Sequence, residues 1–328
     1  MSRDCNQETG EYEVTVNPQA FPSIDELENT LFEHAYVTDR VLATVLYLTL
    51  KLRKPLLLEG EAGVGKTQVA KTLSEVLNAP LIRLQCYEGL DVSSTIYEWN
   101  YTRQLLHIRM LEAQSCDIDE QAERDLFGEE YMIKRPLLRA IELTESGTAP
   151  VLLIDELDRA DEEFEAFLLE LLSDFQITIP EIGTIQATKP PVVVITSNRT
   201  REIHDALKRR CIYHWIDFPS LEKEHRIVSL KVPHAPQLMA HQLVRFVQEL
   251  RELDLYKLPG VAETLDWAEA LVALDAEELQ LPLVEDTLGL LLKYQDDFEL
   301  VRKGHAQRML EQAKQQLMEQ MIQESPFS

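Results

Sequence analysis

Apolar positions fall into short continuous runs and longer periodic stretches, and the two alternate through the first two thirds of the chain. Leu56-Leu57-Leu58, bounded by Pro55 and Gly60, reads as a strand buried on both faces. The same pattern marks strands at 81–84, 151–154 and 192–196. Between them lie helical periods at 26–33, 39–52, 66–77, 136–144, 161–175 and 202–210. In 39–52 the predicted packing stripe is Val41, Val45, Leu48 and Leu52, with Leu42 and Leu46 beside it. Lys54-Pro55 ends that helix, because the residue before proline is pushed out of helical geometry. In 66–77 the stripe is Val69, Leu73 and Val76, and in 161–175 it is Phe164, Phe167, Leu168, Leu171 and Phe175. Ile177 and Ile179, then Ile182 and Ile185, flank a turn over 180–183 and read as a hairpin. Residues 88–135 follow neither period. They mix Tyr97, Trp99 and Tyr101 with an acidic stretch over 117–125, as an elaboration between core strands would.

Beyond Pro219-Ser220 the pattern is helical throughout, over 221–230, 236–252, 261–273, 284–293 and 296–324, with Ser220 a candidate N-cap. Strands alternating with helices, then helices alone, predict an α/β parallel-sheet domain followed by a small α-helical domain. The expected divisions are a polar N-terminal tail at 1–20, the sheet domain at 21–219 and the helical domain at 220–328.

Charge and composition narrow the function classes. A net charge of −25 works against a phosphate-neutralising surface and makes a nucleic-acid role unlikely. The longest apolar run, 41–50, is far short of the ~20 residues that a bilayer demands, so no membrane insertion is expected. The polar start, residues 1–13, lacks the apolar region of a secretory signal. Cys5, Cys86, Cys116 and Cys211 form no C-x-x-C pair, which fits a reducing cytosol, and the eight histidines show no metal-ligand spacing.

Three segments carry chemistry. Gly60-Glu61-Ala62-Gly63-Val64-Gly65-Lys66-Thr67, followed by Gln68, matches G-x-x-x-x-G-K-[ST] between an apolar strand and an amphipathic helix. Its glycines let backbone N–H groups converge on phosphate oxygens, and the helix N-terminus adds partial positive charge. Lys66 reaches the β- and γ-phosphates in such a loop, and the Thr67 hydroxyl ligates Mg²⁺. Val151-Leu152-Leu153-Ile154-Asp155-Glu156 delivers two carboxylates at the end of a buried strand, where ligands sit in open α/β sheets. Asp155 is the candidate to hold Mg²⁺ and Glu156 the candidate general base for an attacking water. The strand 192–196 leads to Asn198, a candidate to bond the γ-phosphate or orient that water. A guanine-reading N-K-x-D is absent, which favours ATP over GTP.

These elements in this order resemble the AAA+ ATPases, with Walker A at 60–67, Walker B at 151–156 and sensor 1 at Asn198. More narrowly the chain resembles the MoxR family, through residues 55–67, 134–140, 152–160 and 206–211. Residues 86–91, 97–101 and 263–267 further resemble the carbon-monoxide-dehydrogenase-associated branch. The resemblance spans about 25–295. It implies a P-loop NTPase domain with a helical lid, ATP and Mg²⁺ as ligands, and a cytoplasmic homo-hexameric ring. Arg210, with Arg209 as the alternative, falls where the family places its arginine finger. The family's lid arginine has no counterpart in Gly260-Val261-Ala262-Glu263-Thr264-Leu265-Asp266-Trp267. The long span between Lys66 and Asp155 fits an insertion in helix 2, and the 177–185 hairpin fits a pre-sensor hairpin, both pointing toward the ring pore. Tyr97, Trp99 and Tyr101 then either grip a client or pack the insertion onto the core. The implied activity is ATP-driven remodeling, with a von Willebrand factor A-domain partner and a client enzyme that requires maturation. The rivals are a nucleotide-gated scaffold with little turnover and a nucleic-acid-acting motor.

Overall fold

The computed structural model describes residues 21–113, 126–143 and 149–323. The expected N-terminal tail, the acidic stretch over 117–125, Cys5 and Cys116 lie outside the described residues. Five strands form one parallel sheet: β1 (Leu56–Gly60), β2 (Leu81–Gln85), β5 (Val151–Asp155), β8 (Val192–Ser197) and β9 (Ile212–Ile216). Their spatial order is β2-β5-β8-β1-β9, so β1 is central and runs beside both β8 and β9. Two small antiparallel pairs are added, β3 (Tyr97–Trp99) with β4 (Met132–Lys134) and β6 (Gln176–Ile179) with β7 (Gly183–Gln186). The second is the expected hairpin, with Ile177 opposite Ile185.

Period-two alternation in β1 divides the core. Leu56 and Leu58 join one cluster, under helices Ile24–Glu33, Arg40–Leu52 and Lys66–Val76. Leu57 joins the cluster on the other face, under helices Pro136–Glu142 and Glu162–Asp174. Helix starts are specified locally: Ser23, Asp39, Asp161 and Ser220 each accept a bond from a backbone N–H three residues on.

The helical region has its own core, around Trp267, Phe246, Leu243 and Leu271. Its helices are Leu221–Lys231, Gln237–Arg251, Val261–Ala273, Leu281–Thr287, Gln295–Leu300 and Ala306–Gln323. A buried ion pair ties it together. Glu224 accepts both ends of the Arg251 guanidinium at 2.7 Å and the Thr264 hydroxyl at 2.8 Å. Arg251 also donates to the Pro259 carbonyl and stacks over Phe218 in the connection from the sheet.

Several expectations change. The predicted stripe of helix Arg40–Leu52 faces outward, with Val41 63% and Leu52 58% exposed; the buried side is Leu42, Ala43, Leu46, Thr49 and Leu50. Both stripes share one period, and periodicity does not say which of two apolar faces meets the sheet. The predicted helix 202–210 shortens to Asp205–Lys208. β9 was not expected, because Ile-Tyr-His-Trp-Ile lies at a sheet edge and is only partly buried. The long C-terminal helix breaks at Lys303-Gly304, where Gly304 takes φ +104°. The predicted helix 284–293 is instead a short helix that tightens into a 3₁₀ turn at Leu288–Leu290. Of the aromatic trio, Tyr97 packs edge-on against Trp99 and Trp99 against Phe127, whereas Tyr101 is 69% exposed.

Glu224→Ala leaves the Arg251 charge buried and unpaired, so it is expected to cost about 3–5 kcal/mol of the helical region's stability. A paired Glu224→Leu, Arg251→Met replacement is expected to cost far less, and tryptophan-detected denaturant unfolding compares them.

Candidate functional site

The phosphate loop connects β1 to helix Lys66–Val76 at the C-terminal end of the sheet. Gly60 enters it at φ +153°, and a Cβ there would lie 2.3 Å from the Ile216 carbonyl oxygen of β9. No other residue fits that approach. Lys66 is buried, and its Nζ donates to the carbonyls of Gly60 at 2.7 Å and Glu61 at 2.6 Å. Burial lowers the Lys66 pKa, while Asp158, Glu61, Asp155 and Glu156 act to raise it. Gly60 and Glu61 thus stand behind the ammonium. Ala62, Gly63, Val64, Gly65, Lys66, Thr67 and Gln68 line a cavity of about 800 Å³.

Asp155, Glu156 and Asn198 line the same cavity, so nearly every residue predicted for one nucleotide site converges there. β5 is buried along its whole length and brings Asp155 to its end at 3% exposure. One carboxylate oxygen of Asp155 accepts the hydroxyls of Thr67 at 3.0 Å and Thr196 at 2.6 Å. The other accepts Arg83 Nε at 3.0 Å and Nη2 at 2.6 Å. Glu156 takes the left-handed conformation, φ +56°, and its N–H donates to Thr196 Oγ1. Such a φ on a non-glycine residue costs roughly 1–3 kcal/mol and is kept where surroundings over-determine it. Its side chain is partly exposed, 3.4 Å from Arg159. Asn198 is placed by its backbone N–H, which donates to buried Asp158, and Thr200 donates to the same carboxylate through both N–H and hydroxyl.

Arg83, Asp158 and Thr196 were not singled out by sequence. Arg83 carried a signal, as a charge at an alternate position of an otherwise apolar strand. Asp158 stands two residues past Glu156 and closes the carboxylate strand onto the Asn198 loop. Cys86 beside the site is no nucleophile, because burial and the neighbouring carboxylates push its thiol up to about 12.

Val37, Ile216, Pro219, Ile227, Val261 and Leu265 add apolar lining to the same cavity, contributed by both the sheet and the helical region. Asp39, which caps helix Arg40–Leu52, pairs with Lys223 of the helical region across it at 2.7 Å. At the phosphate end Gly260 lies directly on the loop: a Cβ there would meet Gly63 Cα at 2.7 Å, and Ala262 N–H donates to the Gly63 carbonyl. The start of helix Val261–Ala273 therefore meets the loop with backbone and with Val261 and Ala262.

Thr67 and Asp155 offer hard oxygen donors in contact with each other, a set that suits Mg²⁺ when phosphate oxygens complete it. Among the described residues no group of three or more His, Cys, Asp or Glu could hold a metal ion. Arg209 and Arg210 do not reach the cavity. Both are exposed, and Arg210 Nη1 donates to the Leu169 carbonyl near the end of helix Glu162–Asp174. Among the described residues no helix is long and apolar enough to cross a membrane.

Lys66→Met is expected to weaken triphosphate binding by roughly 10- to 100-fold, the value of one or more charge-assisted hydrogen bonds. Calorimetric titration with a non-hydrolysable ATP analogue measures it, with unchanged thermal unfolding as the control.

Comparison with known proteins agrees with this geometry. Residues 55–211 match the AAA domain (dynein-related subfamily). The chain is 24% identical over 211 residues to an uncharacterized protein of Staphylococcus saprophyticus, covering 62% of this chain and 71% of the relative. An uncharacterized Staphylococcus aureus protein is 25% identical over 209 residues, with coverages of 62% and 70%. Among solved structures, a Thermotoga maritima RuvB mutant has TM-score 0.46 at 16% identity, covering 86% of this chain and 75% of that one. The Thermotoga maritima RuvB Holliday junction branch migration motor has TM-score 0.43 at 15% identity, covering 86% and 76%. The chain has the AAA+ P-loop NTPase fold, and residues 55–211 are similar to an AAA domain.

Proposed function

We propose that the chain is an ATP-hydrolysing remodeler of the MoxR type, in the branch resembling the carbon-monoxide-dehydrogenase-associated ATPases, and that it works as a cytoplasmic homo-hexameric ring. The observation that carries this reading is a site complete but for one charge. Lys66, Thr67, Asp155, Glu156 and Asn198 share one cavity, while Arg209 and Arg210 point elsewhere. A neighbouring copy that brings Arg210, or Arg209, to the cavity mouth completes it.

In this mechanism the loop N–H groups and Lys66 hold the β- and γ-phosphates, and Lys66 exchanges its two carbonyl partners for phosphate oxygens. Thr67 and Asp155 would hold Mg²⁺, which would supply positive charge to offset that of the phosphates. Glu156 accepts the proton of the water attacking the γ-phosphorus, and Asn198 orients that water. The bridging oxygen leaves with ADP, and the neighbour's arginine stabilises the charge developing on the transferred group. Closure of the helical region follows the loop through the Gly63–Gly260 contact and the Asp39–Lys223 pair.

Among the described residues the site holds no second catalytic constellation, so the energy of hydrolysis passes to other proteins. The resemblance supplies the candidates: a von Willebrand factor A-domain protein as partner and an enzyme awaiting metal-cofactor insertion or activation as client. A nucleotide-gated scaffold is the second reading. The apolar start of helix Val261–Ala273, where relatives carry an arginine, favours slow turnover. The net charge of −25 weighs against a nucleic-acid motor.

Glu156→Gln is expected to bind ATP normally and to lose roughly 10²- to 10⁴-fold in turnover. Arg210→Ala is expected to assemble with unchanged mass and lose about 10³-fold or more, by analogy with other arginine fingers. ATPase rates and assembly mass, alone and with a von Willebrand-type partner, read both. A wild-type monomer whose turnover is indifferent to Arg209→Ala and Arg210→Ala would falsify the shared site. A Glu156→Gln protein that still supports client activation points to the scaffold.

A further inference from the structure

We propose that Arg83 is a built-in counter-ion of the metal site, which keeps free divalent cations off Asp155 until nucleotide arrives. The inference rests on the reading that nucleotide and Mg²⁺ share this cavity.

A carboxylate has about four lone-pair positions. Asp155 uses four: two on Oδ1, with Thr67 and Thr196, and two on Oδ2, with Nε and Nη2 of Arg83. A cation entering the inner sphere of Asp155 must displace one of these donors. Thr67 is different. Its hydroxyl hydrogen is given to Asp155, which leaves the oxygen lone pairs free to face a metal. Asp155, in contrast, is already saturated by protein donors, and Arg83 supplies two of the four.

Charge leads to the same conclusion. Asp155, Glu156, Asp158 and Glu61 all act electrostatically on the Lys66 ammonium, so the phosphate end of the cavity is strongly anionic before any ligand binds. Such a cluster attracts free divalent cations unless fixed cations offset it. Lys66 is turned toward the loop carbonyls. Arg83 is the cation in direct contact with the candidate metal-holding carboxylate, at 2.6 Å.

Its position indicates a duty beyond packing. Arg83 stands on β2 opposite Leu153, and its side chain reaches along the sheet to Asp155, which pairs with Gln85. Half of the side chain is solvent-exposed, whereas the Asp155 side chain it holds is 4% exposed. The fold does not need a guanidinium there to fill a core, and a methionine occupies similar volume.

The test uses the full-length protein and Mn²⁺ as a spectroscopic stand-in for Mg²⁺, with free Mn²⁺ counted by electron paramagnetic resonance in the absence of nucleotide. Wild type is expected to bind Mn²⁺ only weakly. Arg83→Met is expected to bind it at least roughly tenfold more tightly, since one nearby positive charge is gone. Arg83→Gln, neutral but still a donor, is the second variant should the first fold poorly. Addition of Asp155→Asn is expected to abolish the gain. Equal Mn²⁺ affinity in wild type and both neutral variants overturns the proposal, as does a gain that survives Asp155→Asn. Titration with a fluorescent ATP analogue in EDTA separates the two levels of the argument. If wild type does not bind the analogue, the nucleotide reading fails and takes this inference with it. If it binds and Mn²⁺ affinity does not respond to Arg83, the counter-ion role alone is wrong.

Discussion

The buried carboxylate of Asp155 is the point on which the site depends. A charge at 3% exposure in a sheet core is tolerable only when every lone pair is satisfied and a counter-charge is near. Its partners come from two strands and a helix: Arg83 from β2, Thr196 from β8 and Thr67 from the phosphate-loop helix, around Asp155 on β5. Satisfying one side chain therefore fixes the spacing of every element that presents a catalytic group. Thr196 adds to this by accepting the Glu156 N–H while donating to Asp155. The strained backbone at Glu156 is held by that shared hydroxyl and by the 3₁₀ turn that follows.

A second constraint couples the two structural regions. Gly63 and Gly260 approach so closely that neither tolerates a Cβ, and the Ala262 N–H bonds the Gly63 carbonyl. A phosphate drawing the loop's N–H groups inward changes the same backbone that the helical region touches. The helical region is itself held together by the buried Glu224–Arg251 pair, which joins three helices and the connecting Phe218.

Sequence made the site more legible than the fold around it. Gly60 to Thr67, Asp155, Glu156 and Asn198 are tied to local geometry, a turn or a strand end, and short patterns report local geometry well. Three buried strands were visible as apolar runs, and β2 as a run interrupted by Arg83. What stayed hidden depends on distant partners. β9 gains its hydrogen bonds from β1, more than 150 residues earlier in the chain, and its own residues alternate too weakly to declare a strand. The wrong face of helix Arg40–Leu52 arose because Val41, Leu48 and Leu52 are as periodic as the buried set. Arg83 gained its meaning only when the fold placed it two residues from register with Asp155.

The arginines that stay outside the cavity bear on how the protein must work. In a site that carried its own arginine, hydrolysis could proceed in an isolated chain, and nothing would link turnover to assembly. Here Arg210 bonds the Leu169 carbonyl beside the β6–β7 hairpin, on the face of the sheet opposite the helix that follows the phosphate loop. In the proposed ring, the charge offered to a neighbour would therefore be anchored on the end of helix Glu162–Asp174 and not on a tail, which would tie hydrolysis to assembly.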